Sequence, residues 1–222
     1  KCLNALLERQ VDGIIAVPLE GAEEALEQAR SYRPLVLIDR TLGELPAVLS
    51  DPCVGINQAV EQLKEKGHTH IGYLSGPQET STGRQRLEAF EAVSHGMPTH
   101  IHHGSYRHRE GYKGAIALLK KGVTAIIAGD SMMTAGALEA CHNAGKRIGE
   151  EIALVGFDDF IYLRFQPSPI SVVDQDVARM GETATAKLIA AINDKRPPEG
   201  EVIETRYIPR MSTAHQLHGA TP

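Results

Sequence analysis

The chain has 222 residues, of which 42% are hydrophobic and 23% charged, and it carries a formal net charge of −5. This is an ordinary soluble globular composition, and the length suffices for one large α/β domain or two modest ones. No apolar run reaches the roughly 20 residues of a membrane span. The acidic balance argues against a chain that grips nucleic acid through its own surface, which requires clustered cations. Cys2, Cys53 and Cys141 are odd in number and far apart, as expected of reduced thiols in a cytoplasmic protein rather than a disulfide frame.

In chain order, residues 3–11 have helical spacing, and GIIAVP then gives a short strand closed by proline. GAEEALEQARSY reads as a helix, PLVLID and AVLS as strands, residues 55–66 as a helix and HIGYLSG as a strand. A helix through STGRQRLEAF follows, then a strand at 100–103, a helix at 110–121, the strand TAIIAGD and a helix at 132–144. The strands IALVGFDD and ISVVDQD, a long helix through ARMGETATAKLIAAIND and a last strand near VIETRYIP complete the series. Short, nearly continuous apolar strands between amphipathic helices predict parallel sheets covered on both faces.

Polar residues gather just past the C-terminal ends of these strands: Asp39-Arg40, Ser75, Gly129-Asp130, Asp158-Asp159 and Gln175-Asp176. In open parallel sheets the ligand crevice lies outside those ends, although loops there are polar in any case and Asp caps helices. Arg84 and Arg86 share the helix that follows one such strand. Arg84 falls with Glu88 and Glu91 on a charged face, whereas Arg86, four before Phe90, leans towards the apolar stripe of Leu87, Phe90 and Val93. A guanidinium facing inward cannot shed its proton and must find an anion or several acceptors. It is either a structural pair or a ligand clamp.

KGHTHIGYLSGP, STGRQRLEAF, TAIIAGDSMMTAGALEACHNAGKRIGEEIALVGFDD and PSPISVVDQD, in this order, resemble the LacI/GalR family of bacterial transcription regulators across essentially the whole chain. The resemblance implies an α/β fold with two doubly wound parallel-sheet lobes joined by crossing strands, like the periplasmic sugar-binding proteins. It places the N-terminal lobe at 1–50 plus 176–205 and the C-terminal lobe at 51–175 plus 206–222. It also implies that the family's helix-turn-helix domain and the opening elements of the first lobe precede Lys1, so that the first lobe is incomplete here and the natural polypeptide is longer.

The same resemblance implies ligand-binding roles in an interlobe cleft. Arg86 would grip effector oxygens, Asp158 would accept hydroxyls or ring nitrogens, Tyr106 would pack on the ligand and Thr82 would lend a hydroxyl. Asp39 and Gln175 would reach the ligand from the other lobe or the hinge. A charged fork with an aromatic face suits a polyol. Two positions depart from the family pattern: Gly129 stands where an Asn is common, and Pro52 follows Asp51 where Asn is common.

The function expected is the effector-binding and dimerisation core of a LacI-type regulator, taking a sugar-like ligand. Operator DNA would be bound through the N-terminal domain that this sequence lacks, and no membrane is involved. The alternative is an exported solute-binding protein of the same fold. Neither a cofactor nor a catalytic set is expected, since GxSxG, P-loop and GxGxxG motifs are absent. His95, His100, His102, His103 and His108 are expected to be solvated rather than metal ligands, and Met132 and Met133 to be core or subunit contacts.

Overall fold

Apolar residues at consecutive strand positions need cover on both sides, and the computed structural model supplies it in two units. It describes residues 2–215; Lys1 and residues 216–222, the latter at the end of the segment expected in the second lobe, lie outside the described residues. The first unit comprises the chain up to Asp51, with Glu79–Thr82 and Asp176–Ile203; the second comprises Pro52–Gln78, Gly83–Gln175 and the chain from Glu204.

In the first unit, α1 (Cys2–Glu8), β1 (Ile14–Ala16), α2 (Glu23–Tyr32), β2 (Leu35–Ile38) and β3 (Ala47–Asp51) are followed much later by α8 (Val177–Asp194) and β9 (Glu201–Glu204). The sheet order is β1-β2-β3-β9, with β1, β2 and β3 parallel. Side chains alternate across it. Ile14, Leu35 and Leu37 join Leu26 and Ala29 of α2, while Val36 and Val48 face Met180, Ala184 and Leu188 of α8.

The second unit runs through α3 (Cys53–Glu65), β4 (Ile71–Ser75), α4 (Ser81–Val93), β5 (Thr99–His103), α5 (His108–Lys120), β6 (Ala125–Ala128) and α6 (Ser131–Asn143). It continues with β7 (Ala153–Phe157), α7 (Ile161–Arg164), β8 (Ser171–Asp174) and β10 (Arg206–Ile208). Its six strands take the order β10-β8-β7-β6-β4-β5, parallel except for β10. One face gathers Ile71, Tyr73, Ile127, Val155 and Phe157 against α3 and α4; the other gathers Leu74, Ile126, Leu154 and Val172 against α5 and α6.

Helices α5 and α6 meet at backbone distance. A Cβ on Gly111 would fall 2.5 Å from Cα of Met133, and one on Gly136 would collide with the His108 carbonyl. Two parts of the predicted series differ. The run VIETRYIP is not one strand: β9 and β10, separated by Thr205, pair into different sheets. Helix α7 has too few residues to show a period. Among the described residues, no helix is long and apolar enough to cross a membrane.

Candidate functional site

Two of the polar residues at the strand ends cap helices. Asp130 closes the first turn of α6 by accepting from the Met132 and Met133 N–H groups at 2.8 and 3.3 Å, and Asp176 does the same for α8 through the Arg179 N–H at 3.2 Å. Asp159 is an ion-pair hub, 2.7 Å from both Arg164 and Arg210. Burial would raise its carboxyl, but the two arginines hold it below the usual carboxylate range.

Asp158 is different. It follows β7 with φ +64°, in the left-handed region that costs a non-glycine residue strain, and it is buried. Its Oδ1 accepts from Nε2 of Gln175 at 2.7 Å, and Oε1 of Gln175 accepts from Nη2 of Arg86 at 3.2 Å. The second arm of the guanidinium, Nη1, donates to the Gly129 carbonyl at 2.9 Å. The guanidinium carbon sits 3.9 Å from the Phe157 ring centroid, a cation–π contact in a desolvated setting. Helix α4 produces this geometry by burying Leu87 and Phe90 against the sheet, which carries Arg86 inward over the ends of β6 and β7.

The Arg86–Gln175–Asp158 relay separates a cation from an anion by one amide that uses both of its ends. Such a set presents donors and acceptors together in a water-poor place, which is what recognition of a polar small molecule requires. Tyr106, half-buried, lies so tightly over Gly76 that a Cβ there would enter its ring. Gln78 ties this loop down by donating to Ser75 Oγ at 2.9 Å and to the Gly76 carbonyl at 2.8 Å.

Of the six residues singled out from sequence, Arg86, Gln175 and Asp158 are thus brought together, and Tyr106 lies in the same unit. Thr82 and Asp39 belong to the first unit. There Thr82 is buried with its hydroxyl 3.5 Å from that of Thr80, and Asp39, at φ +73°, lies 3.3 Å from Nε of Arg40. Ser81, the first residue of α4, accepts from the Thr41 N–H at 3.1 Å. Sequence reasoning passed over Phe157 and Tyr73. Phe157 directly precedes Asp158, and Tyr73 is the only aromatic in a strand of otherwise small or aliphatic residues. Both were open to view as large rings beside the motif residues.

The two histidines that alternate on β5, His100 and His102, are both half-buried on an edge strand. Burial lowers the His102 imidazole. Met133 is buried and Met132 is half exposed.

Parallel sheets with a polar constellation at their strand ends define a periplasmic-binding-protein-type effector core, and residues 60–213 match the periplasmic binding protein-like domain family. The chain is 39% identical to a probable LacI family transcriptional regulator from Corynebacterium glutamicum, with a TM-score of 0.88 over 95% of this chain and 80% of that one. With that likeness, the chain belongs to the LacI/GalR family, of which it forms the effector-binding core. It is 29% identical, over 96% of its length, to the HTH-type transcriptional repressor PurR of Escherichia coli O1:K1. The chain spans 66% of the length of that relative. The structure of the transcriptional regulator CelR in complex with cellobiose is 27% identical, with a TM-score of 0.83 over 95% of this chain and 68% of that one.

Proposed function

We propose that this chain senses a small polar effector, sugar-like in chemistry, for a transcription regulator, and that it does so without turning the ligand over. The observation that carries the reading is the buried relay of Arg86, Gln175 and Asp158; Tyr106, which packs over Gly76 in the same unit, is the aromatic proposed to join it. A planar guanidinium recognises paired oxygens, a carboxylate accepts hydroxyl protons, and an aromatic ring covers the apolar face of a sugar. The cellobiose held by CelR supports the sugar class. Family likeness alone proposes Thr82 and Asp39, which belong to the first unit, as further ligand residues.

In this reading the protein works in the cytoplasm as a homodimer. Operator DNA is bound by a helix-turn-helix segment outside the present sequence. Exposed apolar residues on and beside α7, among them Ile161, Tyr162 and Phe165, support self-association. An effector alters DNA binding only by its difference in affinity for two states of the protein, typically about 1–3 kcal/mol. The repressor relatives favour this role over an exported solute-binding protein.

The test is calorimetry of the chain with sugars, sugar phosphates, nucleosides and polyols, followed by chromatography of the recovered ligand. Binding of one class, with the ligand returned unchanged, is the expected result. Chemical conversion would replace this reading with an enzyme, and no binding by any class would remove the effector site.

A further inference from the structure

Thr134 stands near the start of α6 and is wholly buried. Its hydroxyl is used twice. It donates to the Asp130 carbonyl, four residues back, at 2.8 Å, and it accepts the Phe157 N–H at 3.0 Å. The second bond leaves the helix and reaches the end of β7. The β6–β7 ladder stops at the pair Ile127–Val155, and the Phe157 N–H, two residues further on, is taken up by this side chain instead. Gly156 makes the approach possible, since a Cβ there would lie 2.6 Å from Thr134 Cγ2.

The chain at this bond carries two groups that bear on the relay. The Phe157 ring lies under Arg86, its centroid 3.9 Å from the guanidinium carbon, and Asp158 accepts the Gln175 amide at 2.7 Å. Asp158 holds φ +64°, a left-handed conformation that persists in a non-glycine residue only where its surroundings over-determine it. Two main-chain anchors do so. Thr134 Oγ1 holds the Phe157 N–H, and the Val173 carbonyl of β8 holds the Asp158 N–H at 2.9 Å. A valine at 134 would keep the methyl that packs against Gly156 but offer no acceptor, leaving the Phe157 N–H buried and unpaired.

We infer that Thr134 is a positioning residue of the effector site, its hydroxyl fixing the end of β7 so that the Phe157 ring and the Asp158 carboxylate meet Arg86 and Gln175. This rests on the reading of Arg86, Gln175 and Asp158 as that site. Thr134 acts through Phe157 and Asp158 rather than by contact with the effector. Polar groups recognise a ligand only when held within about 0.5 Å of the productive geometry, so freeing this strand end weakens binding without unfolding the protein.

The experiment measures the affinity of wild type, Thr134→Val, Thr134→Ser and Arg86→Ala for D-glucose, D-ribose and cellobiose by calorimetry, alongside their melting temperatures. The two threonine variants separate hydroxyl from packing: valine keeps the methyl and loses the acceptor, whereas serine keeps the acceptor and loses the methyl. Thr134→Val is expected to weaken the bound sugar about tenfold and Thr134→Ser less than about threefold, although serine leaves a cavity and lowers the melting temperature. Equal losses in both variants, following their melting temperatures, overturn the inference, since packing alone would then matter. Wild-type affinity in Thr134→Val, with Arg86→Ala abolishing binding, also overturns it and leaves the effector site standing. Should Thr134→Val not fold, Thr134→Ala takes its place beside Thr134→Ser, from which it differs only by the hydroxyl. If wild type binds none of these sugars, the sugar site and this inference fall together.

Discussion

Arg84 and Arg86, two positions apart on one helix, turn to opposite sides: Arg84 is exposed and donates to the Gln78 carbonyl at 3.0 Å, whereas Arg86 is buried and donates to the Gly129 carbonyl at 2.9 Å. The difference follows from a helical turn of 100° per residue and from Leu87 and Phe90 fixing which face is covered. Arg86→Ala should abolish effector binding and lower stability by about 1–3 kcal/mol, because the acceptors it serves lose a charged donor. Unfolding should stay cooperative. Arg84→Ala should stay within about 0.5 kcal/mol of wild type. Calorimetry and urea titration of both variants settle the pair; retained affinity in Arg86→Ala would remove that residue from the site.

Gly129→Ala should destabilise the second unit by about 1–3 kcal/mol, since the new methyl would press on the Leu74 carbonyl, a backbone atom with no rotamer in which to retreat. Denaturant midpoints check this. A variant as stable as wild type would mean that β4 and β6 yield more easily than their hydrogen bond from Gly129 N to Leu74 O suggests.

His68 is buried, 3.0 Å from the Thr124 hydroxyl, and burial holds its imidazole down at about 4 against an ordinary 6.5. The unfolded chain therefore takes up this proton first as the solution is acidified. The stability involved is fully present above pH 6.5 and is lost as pH falls from there towards about 4. By about pH 5 the loss should be on the order of 1–2 kcal/mol. His68→Gln, which cannot titrate, should flatten this limb of the profile in urea titrations run across the range. A slope unchanged by the substitution would assign the acid sensitivity to other groups.

Cys141, on α6, lies in the second unit's core, and burial pushes its thiol up to about 11. Cys2 and Cys53 are exposed. A chromogenic disulfide reagent near pH 8 should label those two within minutes and reach Cys141 only when the second unit opens. Rapid labelling of Cys141 in the native protein would show that this core breathes far more than its packing implies.

How legible was this arrangement beforehand? The alternation of strands and helices was plain, because both faces of each sheet are covered and the strands read as unbroken apolar runs. The inward turn of Arg86 was legible from its spacing to Phe90. What periodicity cannot report is which sheet a strand joins: the residues on either side of Thr205 continue one pattern while their hydrogen-bond partners change. Nor does sequence separate a capping aspartate from one that pairs with a side chain. Asp130, Asp158 and Asp176 all follow strands, and only their partners reveal that the first and third serve helix ends while Asp158 takes the Gln175 amide. The ligand-binding roles expected of Arg86, Asp158, Tyr106, Thr82, Asp39 and Gln175 all came from family likeness, which no periodicity in the sequence supplies.

The closeness of α5 and α6 at Gly111 and Gly136 has a mechanical meaning. Helices separated by ordinary side chains can slide by repacking rotamers, but at these two points main chain faces main chain with no side chain to yield. Any shift of the Asp130-capped end of α6 must carry α5 with it. A displacement begun near Gly129 would thus travel through the pair as through a single stiff lever, and a bulky residue at Gly136 would jam it without touching the ligand.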